Sequence, residues 1–136
     1  MFSAIIPGTP QQQGSKNRNR YGAMYDANAN LPAWRRVAAH YLADHGPTMT
    51  GAVIVAAEFT FPRPLSHYGT GRNAGRLKPS APTHKTGKPD LDKLERALGD
   101  ALTQAAVIAD DALIVGWETR KIWGSGGIHV TVREAL

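Results

Sequence analysis

The sequence predicts a single α+β domain, a mixed sheet with two helices packed on one face. Two stretches place apolar residues at helical spacing, several shorter stretches alternate apolar and polar residues, and the 136 residues suffice for one core but not two. Strand and helix patterns interleave without an internal repeat or an interdomain linker, so one helical layer on one sheet is the economical arrangement.

Residues 2–6 form a short apolar run stopped by Pro7 and Gly8, which suits a strand ending in a turn. Residues 11–20 are polar and cationic, with Lys16, Arg18 and Arg20 spaced along them, and residues 21–26 suit a short strand or hairpin arm. From Pro32, the residues Trp34, Val37, Ala38, Tyr41 and Leu42 recur at i, i+3, i+4, i+7 and i+8, the spacing of an amphipathic helix that Gly46 and Pro47 end. Residues 52–61 alternate, with Val53, Val55, Phe59 and Phe61 on one face and Glu58 and Thr60 on the other, and Pro62 closes this strand.

Residues 63–88 contain three prolines, four glycines and six cations, Arg63, Arg72, Arg76, Lys78, Lys85 and Lys88, with no apolar period. A loop of this length is usually functional or disordered, and the composition leads to the expectation of a flexible basic loop at about 63–88. A second helix follows, and then two strands, 113–123 and 128–132, flank the glycine-rich GSGG at 124–127; the expectation is a hairpin that closes the sheet.

Sixteen Lys and Arg stand against eleven Asp and Glu, and the pI is near 9.8. A 42% apolar, 20% charged composition is that of an ordinary globular chain. The absence of cysteine excludes a disulfide framework, a thiolate zinc site and a cysteine nucleophile. The start MFSAIIPGTPQQQ lacks a basic region followed by a long apolar run, and no stretch approaches the ~20 apolar residues of a membrane span, so the expectation is a cytoplasmic protein.

Against this basic background, residues 88–112 read KPDLDKLERALGDALTQAAVIADDA, with Asp90 and Asp92 at the start of a helix pattern and Asp110 and Asp111 just past its end. Carboxylates in a basic chain suit a divalent cation facing a polyanion, because Mg²⁺ is usually held by one or two carboxylates, waters and the substrate's phosphate. At ~100° per residue, Leu91, Leu94, Leu98, Ala101, Leu102 and Ala105 share one face, and Asp92, Arg96 and Asp100 fall in a narrow sector opposite. Taken alone, that sector reads as a solvated face with i, i+4 ion pairs. Residues at i and i+2 of a helix point apart, so Asp90 and Asp92 can face one point only if Asp90 is the non-helical N-cap, for which Asp is a preferred residue, while Pro89 biases Lys88 towards extended geometry. Ordinary capping and turn formation account for each aspartate taken singly.

Taken together, the segment KPDLDKLERALGDALTQAAVIADDALIV resembles the RusA-type Holliday junction resolvases, Mg²⁺-dependent endonucleases of phages, prophages and bacteria. The family pattern is a basic residue or proline, D-x-D-N-L, a basic residue two positions on, an aspartate opening D-A-L, and a D-D pair leading into a strand. Asp90, Asp92, Asp100, Asp110 and Asp111 fall in register with it without a gap, and IPGTPQQQGSKNR is similar to the family's first strand and basic loop. Asp90, Asp92 and Asp111 are thereby implied as metal-binding carboxylates, with Arg96 at the family's essential lysine and Lys93 at its asparagine. Both are departures. Arg96 can hold a phosphate but cannot donate a proton at neutral pH.

The resemblance implies phosphodiester hydrolysis with one or two Mg²⁺ or Mn²⁺ ions, a homodimer that nicks a four-way junction symmetrically, and a bacterial or phage-infected cytoplasm. Lys16, Arg18, Arg20, Lys85, Lys88 and Lys93 are the candidate DNA contacts. Two other readings remain: a non-catalytic architectural DNA-binding protein, and a nuclease of flaps and forks. The five histidines lack H-x-x-x-H spacing, and neither glycine cluster has the G-K-[ST] ending of a P-loop. Trp34, Trp117 and Trp123 are most simply core or rim residues, although one could stack on a base.

Overall fold

The computed structural model describes residues 1–14, 16–26 and 28–136, with the side chains of 16, 17 and 24–26 left aside. Strands β1 (Phe2–Pro7), β4 (Val53–Phe61), β5 (Ile114–Trp123) and β6 (Gly127–Glu134) form a four-stranded sheet in the order β1-β6-β4-β5. A small hairpin pairs β2 (Lys16–Arg18) with β3 (Met24–Asp26), as expected of that arm. Helices α1 (Leu31–Leu42) and α2 (Leu91–Gln104) cover one face of the larger sheet, in agreement with the α+β expectation.

The alternation along β4 is realised without a break, with Val53, Val55, Ala57, Phe59 and Phe61 all buried and the intervening residues half-buried. Ile128, Val130 and Val132 of β6 lie in register with Phe59, Ala57 and Val55 and extend the same apolar surface. Leu94, Ala97, Leu98, Ala101 and Leu102 of α2 close over it. On α1 the buried residues are Leu31, Trp34, Ala38 and Leu42, whereas Val37 and Tyr41 remain 39% and 48% exposed. The apolar stripe of α1 is therefore narrower than its sequence suggests, because Val37 and Tyr41 lie ~100° behind the residues that meet the sheet.

The expected hairpin between the last two strands does not form. β4 lies between them, antiparallel to β6 and parallel to β5. The connection at 124–126 arcs over the end of β4, where the Gly124 amide donates to the Phe61 carbonyl (2.8 Å) and the Thr60 hydroxyl donates to the Gly127 carbonyl (3.2 Å). Two strand spacings amount to ~10 Å, within reach of this short link. A Cβ at Gly127, whose φ is +148°, would stand 3.0 Å from the Ile6 carbonyl oxygen, so the glycine-rich turn serves close passage over the strand ends. Alternation and a glycine turn describe two strands joined by a short link, but not whether a third strand enters between them.

Parallel pairing of β4 and β5 needs a crossover, and α2 supplies it, with the 63–88 segment leading in. That segment contains two single turns of 3-10 helix, Leu65–His67 and Gly71–Asn73, and bridges between Tyr68 and Leu77 and between Gly69 and Ala74. α2 ends in a Schellman arrangement: the Val107 amide donates to the Leu102 carbonyl and the Ala106 amide to the Thr103 carbonyl, with Ala106 in the left-handed region at φ +58°.

Two residues of α2 and its cap sit against their backbone preference. Gly99 is buried in mid-helix with room for a methyl group, since an added Cβ would meet Ile114 Cδ1 at 3.6 Å and Trp117 Cζ2 at 3.7 Å. We expect Gly99→Ala and Ala106→Gly each to stabilise the fold by about 0.5–1 kcal/mol, read as a higher urea midpoint at unchanged m-value. Leu98→Ala should cost about 2–5 kcal/mol in the same measurement.

Candidate active site

Asp90 is the N-cap of α2 with extended dihedrals (φ −69°, ψ 145°), and its side chain makes no capping hydrogen bond. The chain before it is held from two sides by lysines. Lys121 of β5 donates to the carbonyls of Gly87 (2.8 Å) and Pro89 (2.9 Å), and Lys85 donates to those of Gly87 (3.2 Å) and Lys88 (2.5 Å). Partial burial, reinforced by the charge of Lys121, lowers the pKa of Lys85 from its ordinary value. Asp90 and Asp92 are both exposed at this end of the helix.

At the other end, Asp110 caps the 3-10 turn Asp111–Leu113 by accepting from the Ala112 amide at 3.0 Å. That amide, together with a hydrogen bond from Asp111, holds Asp110 below the ordinary carboxylate range. The same bond to Asp110 raises Asp111, with desolvation and then the charges of Asp110 and Asp100 adding to the effect. Two exposed carboxylates thus lie side by side, one lowered and the other raised by the same contact. Asp110, which the sequence reading leaves beside the candidate ligands, is the immediate partner of Asp111.

The charged sector of α2 is not simply a solvated face, because residues after β1 cross it. The Gln13 amide donates to the Lys93 carbonyl (3.1 Å), and Gln13 Nε2 donates to Asp100. Arg35 of α1 donates to Gln13 Oε1, so one glutamine links both helices. Asn28 fastens the preceding turn by donating to Gln11 Oε1 and the Gln12 carbonyl. At Gly14, φ +125°, an added Cβ would stand 2.8 Å from Arg96 Nη1, so the guanidinium lies directly against the backbone.

Asp100, which the angular reading sets aside, is thereby anchored by Gln13 and close enough to repel Asp111. Gln13 and Gly14 were missed. Three consecutive glutamines have no periodicity, and Asp100, which Gln13 meets on α2, lies 87 residues away.

The structure therefore brings Asp111 to Asp110 and Asp100, and Arg96 to Gly14. Asp90 and Asp100 are ten residues apart on α2, ~15 Å along its axis. Among the described residues, no three acidic or histidine side chains form a group able to hold a metal ion. The donor chemistry nonetheless suits a hard divalent cation, which needs only one or two carboxylates when a phosphate completes its shell. Arg18 donates to the Gly22 carbonyl (3.2 Å) and Arg20 lies over Tyr21, both on the small hairpin. The side chain of Lys16 lies outside the described residues. Lys88 is exposed and Lys93 half-buried on α2.

A basic α+β chain with uncapped and paired carboxylates at the two ends of its crossover helix has the features of a phosphodiester-cleaving protein. The family model for Endodeoxyribonuclease RusA matches residues 7–133, and the chain belongs to that family. A comparison with individually curated proteins found no match. No helix among the described residues is long and apolar enough to cross a membrane.

Two measurements probe this geometry. In carboxyl-detected NMR titrations Asp111 should titrate above, and Asp110 below, the ordinary aspartate range, and Asp110→Asn should move Asp111 back down because the shared hydrogen bond and the neighbouring charge are weakened. Gly14→Ala should destabilise by about 1–3 kcal/mol, and adding Arg96→Ala should recover part of that loss; strict additivity would show that the guanidinium is not the obstruction.

Proposed function

We propose that this protein is a Mg²⁺-dependent endodeoxyribonuclease that resolves branched DNA, four-way junctions above all, by paired nicks. The observation that carries the reading is the register of Asp90, Asp92, Asp110 and Asp111 with the family's motif, in a chain matched by the family model over residues 7–133. Asp90, Asp92 and Asp111 are the proposed metal carboxylates, Mn²⁺ being an alternative ion. When bound, the ion supplies Lewis acidity towards the scissile phosphate and a more acidic water.

The chain's own groups do the remaining work. Arg96 binds a phosphate oxygen through its guanidinium and offsets the charge that develops during attack. Its contact with Gly14 limits the directions from which the guanidinium can approach the strand. Lys88 and Lys93 flank the same helix start, and Arg18 and Arg20 extend the cationic surface onto the hairpin, with Lys16 in its first strand and Lys85 behind the turn. The net charge of +5 draws in the DNA backbone from a distance. Two copies related by a two-fold axis would match the symmetry of a four-way junction, each contributing one nick.

Asp90→Asn and Asp111→Asn should each reduce Mg²⁺-dependent nicking of a synthetic four-way junction by at least about a hundredfold while junction binding persists. Cleavage retained by both variants would remove the metal assignment. Wild-type protein that binds junctions without nicking in Mg²⁺ or Mn²⁺ would favour the architectural reading, and faster nicking of flaps or forks would move the preferred substrate. Junction affinity should fall steeply between 50 and 200 mM salt, as expected when phosphate contacts release counterions.

A further inference from the structure

Beside the start of α2 lies an open cleft of about 420 Å³, between the turn after β1, the end of β4 and the end of β5. Its walls include Phe61, Trp123 and the prolines Pro10, Pro62, Pro64 and Pro89, and its cations are Lys85 and Lys88; no acidic residue lines it. Around Trp123 the cationic character continues. The Arg63 guanidinium lies 5.0 Å from the ring centroid and the Lys85 ammonium 5.6 Å, with Lys85 also 5.1 Å from Phe61. His67 meets the Trp123 ring edge-on at 5.1 Å, and the shielded Trp123 Nε1–H has no acceptor among the described residues.

We infer that this cleft receives one unstacked nucleotide of the branched DNA, with its base against the proline and aromatic wall and its phosphate between Lys85 and Lys88. The inference rests on the proposed DNA substrate and adds a subsite separate from the carboxylates. The wall chemistry suits a base, because planar heterocycles pack on aromatic and proline surfaces whatever their sequence. The charge suits its phosphate, and duplex DNA cannot enter, since only a base already out of its stack fits a pocket of this volume. The branch point is where a four-way junction offers such bases at least cost.

Lys85 couples the two halves of the subsite. Its ammonium lies over Phe61 and Trp123 and bonds to the Gly87 and Lys88 carbonyls, on a flexible four-carbon stem. A phosphate at the cleft mouth would draw the ammonium outward, exchange neutral acceptors for a charged one and uncover the rings for the base. The lowered pKa of Lys85 agrees with an ammonium that lacks, and would gain from, an anionic partner. Because Lys85 also braces the backbone before Asp90, occupancy of the cleft would register on the first carboxylate of the site.

The test uses junctions with a single abasic nucleotide at successive positions around the branch, bound in Ca²⁺ to the wild-type protein and to Thr9→Phe and Lys85→Met. Thr9 is exposed at the rim, so its replacement fills the cleft without entering the core. For wild type, the abasic lesion should cost about tenfold in affinity at one position on each symmetric strand and little elsewhere. In Thr9→Phe that selective loss should vanish, and Lys85→Met should weaken every junction and lower the salt slope by about one. Wild-type protein that binds and nicks junctions but is indifferent to the lesion at all positions overturns the subsite alone. Failure of wild type to bind branched DNA overturns the subsite together with the proposed function.

Discussion

The parallel pairing of β5 with β4 is the constraint on which the rest of the molecule depends. Parallel neighbours cannot be joined by a tight turn, so the chain must leave the sheet after Phe61 and return at Ile114 through a helix. That requirement puts the start of α2 near the ends of β4 and β5, and its third turn beside Ile114 and Trp117. Asp90 and Asp111 are thus attached to opposite ends of one connection. The apolar face that fastens α2 to the sheet, Leu94, Leu98 and Leu102, also fixes which way Asp92, Arg96 and Asp100 turn.

Much of this was legible because it is local. The alternation in β4, the apolar stripe of α2 and the extended backbone of Asp90 all follow from periods or from the residue next door. Aspartate favours the cap with extended dihedrals, and the observed ψ of 145° at Asp90 fits that preference. The insertion of β4 between β5 and β6 was not legible, since sheet order depends on which edge each strand finds and not on its own pattern. Nor was the exposure of Val37 and Tyr41, because α1 carries a wider apolar arc than the sheet can cover. At the site, residue types and register could be read, but the partners of Asp100, Arg96 and Asp111 could not.

The crossing of α2 by Gln13 and Gly14 gives the departure at position 96 a physical context. A guanidinium is broad and planar, and here it lies against residue 14, which lacks a Cβ and has a positive φ of +125°. Arg96 is therefore not a free replacement on an open helix face, but one accommodated by a glycine distant in sequence. Arg35 and Asp100, joined through Gln13, hold that stretch of chain in place from both helices.

Charge is distributed along the same logic. At the start of α2, Lys85 and Lys121 are spent on backbone carbonyls rather than on Asp90, which makes no capping bond either. At the far end, Asp110 and Asp111 lie side by side, Asp110 lowered and Asp111 raised by their contact. The two ion pairs among the described residues, Arg120 with Glu58 and Arg133 with Glu118, lie instead on the strands, away from both ends of α2. A fold selected only for stability would neutralise its carboxylates in the least costly way, with nearby cations, of which this chain has a surplus. Here Lys85 and Lys121, at the same end of α2 as Asp90, bond to backbone carbonyls instead, in a chain whose family is one of endodeoxyribonucleases.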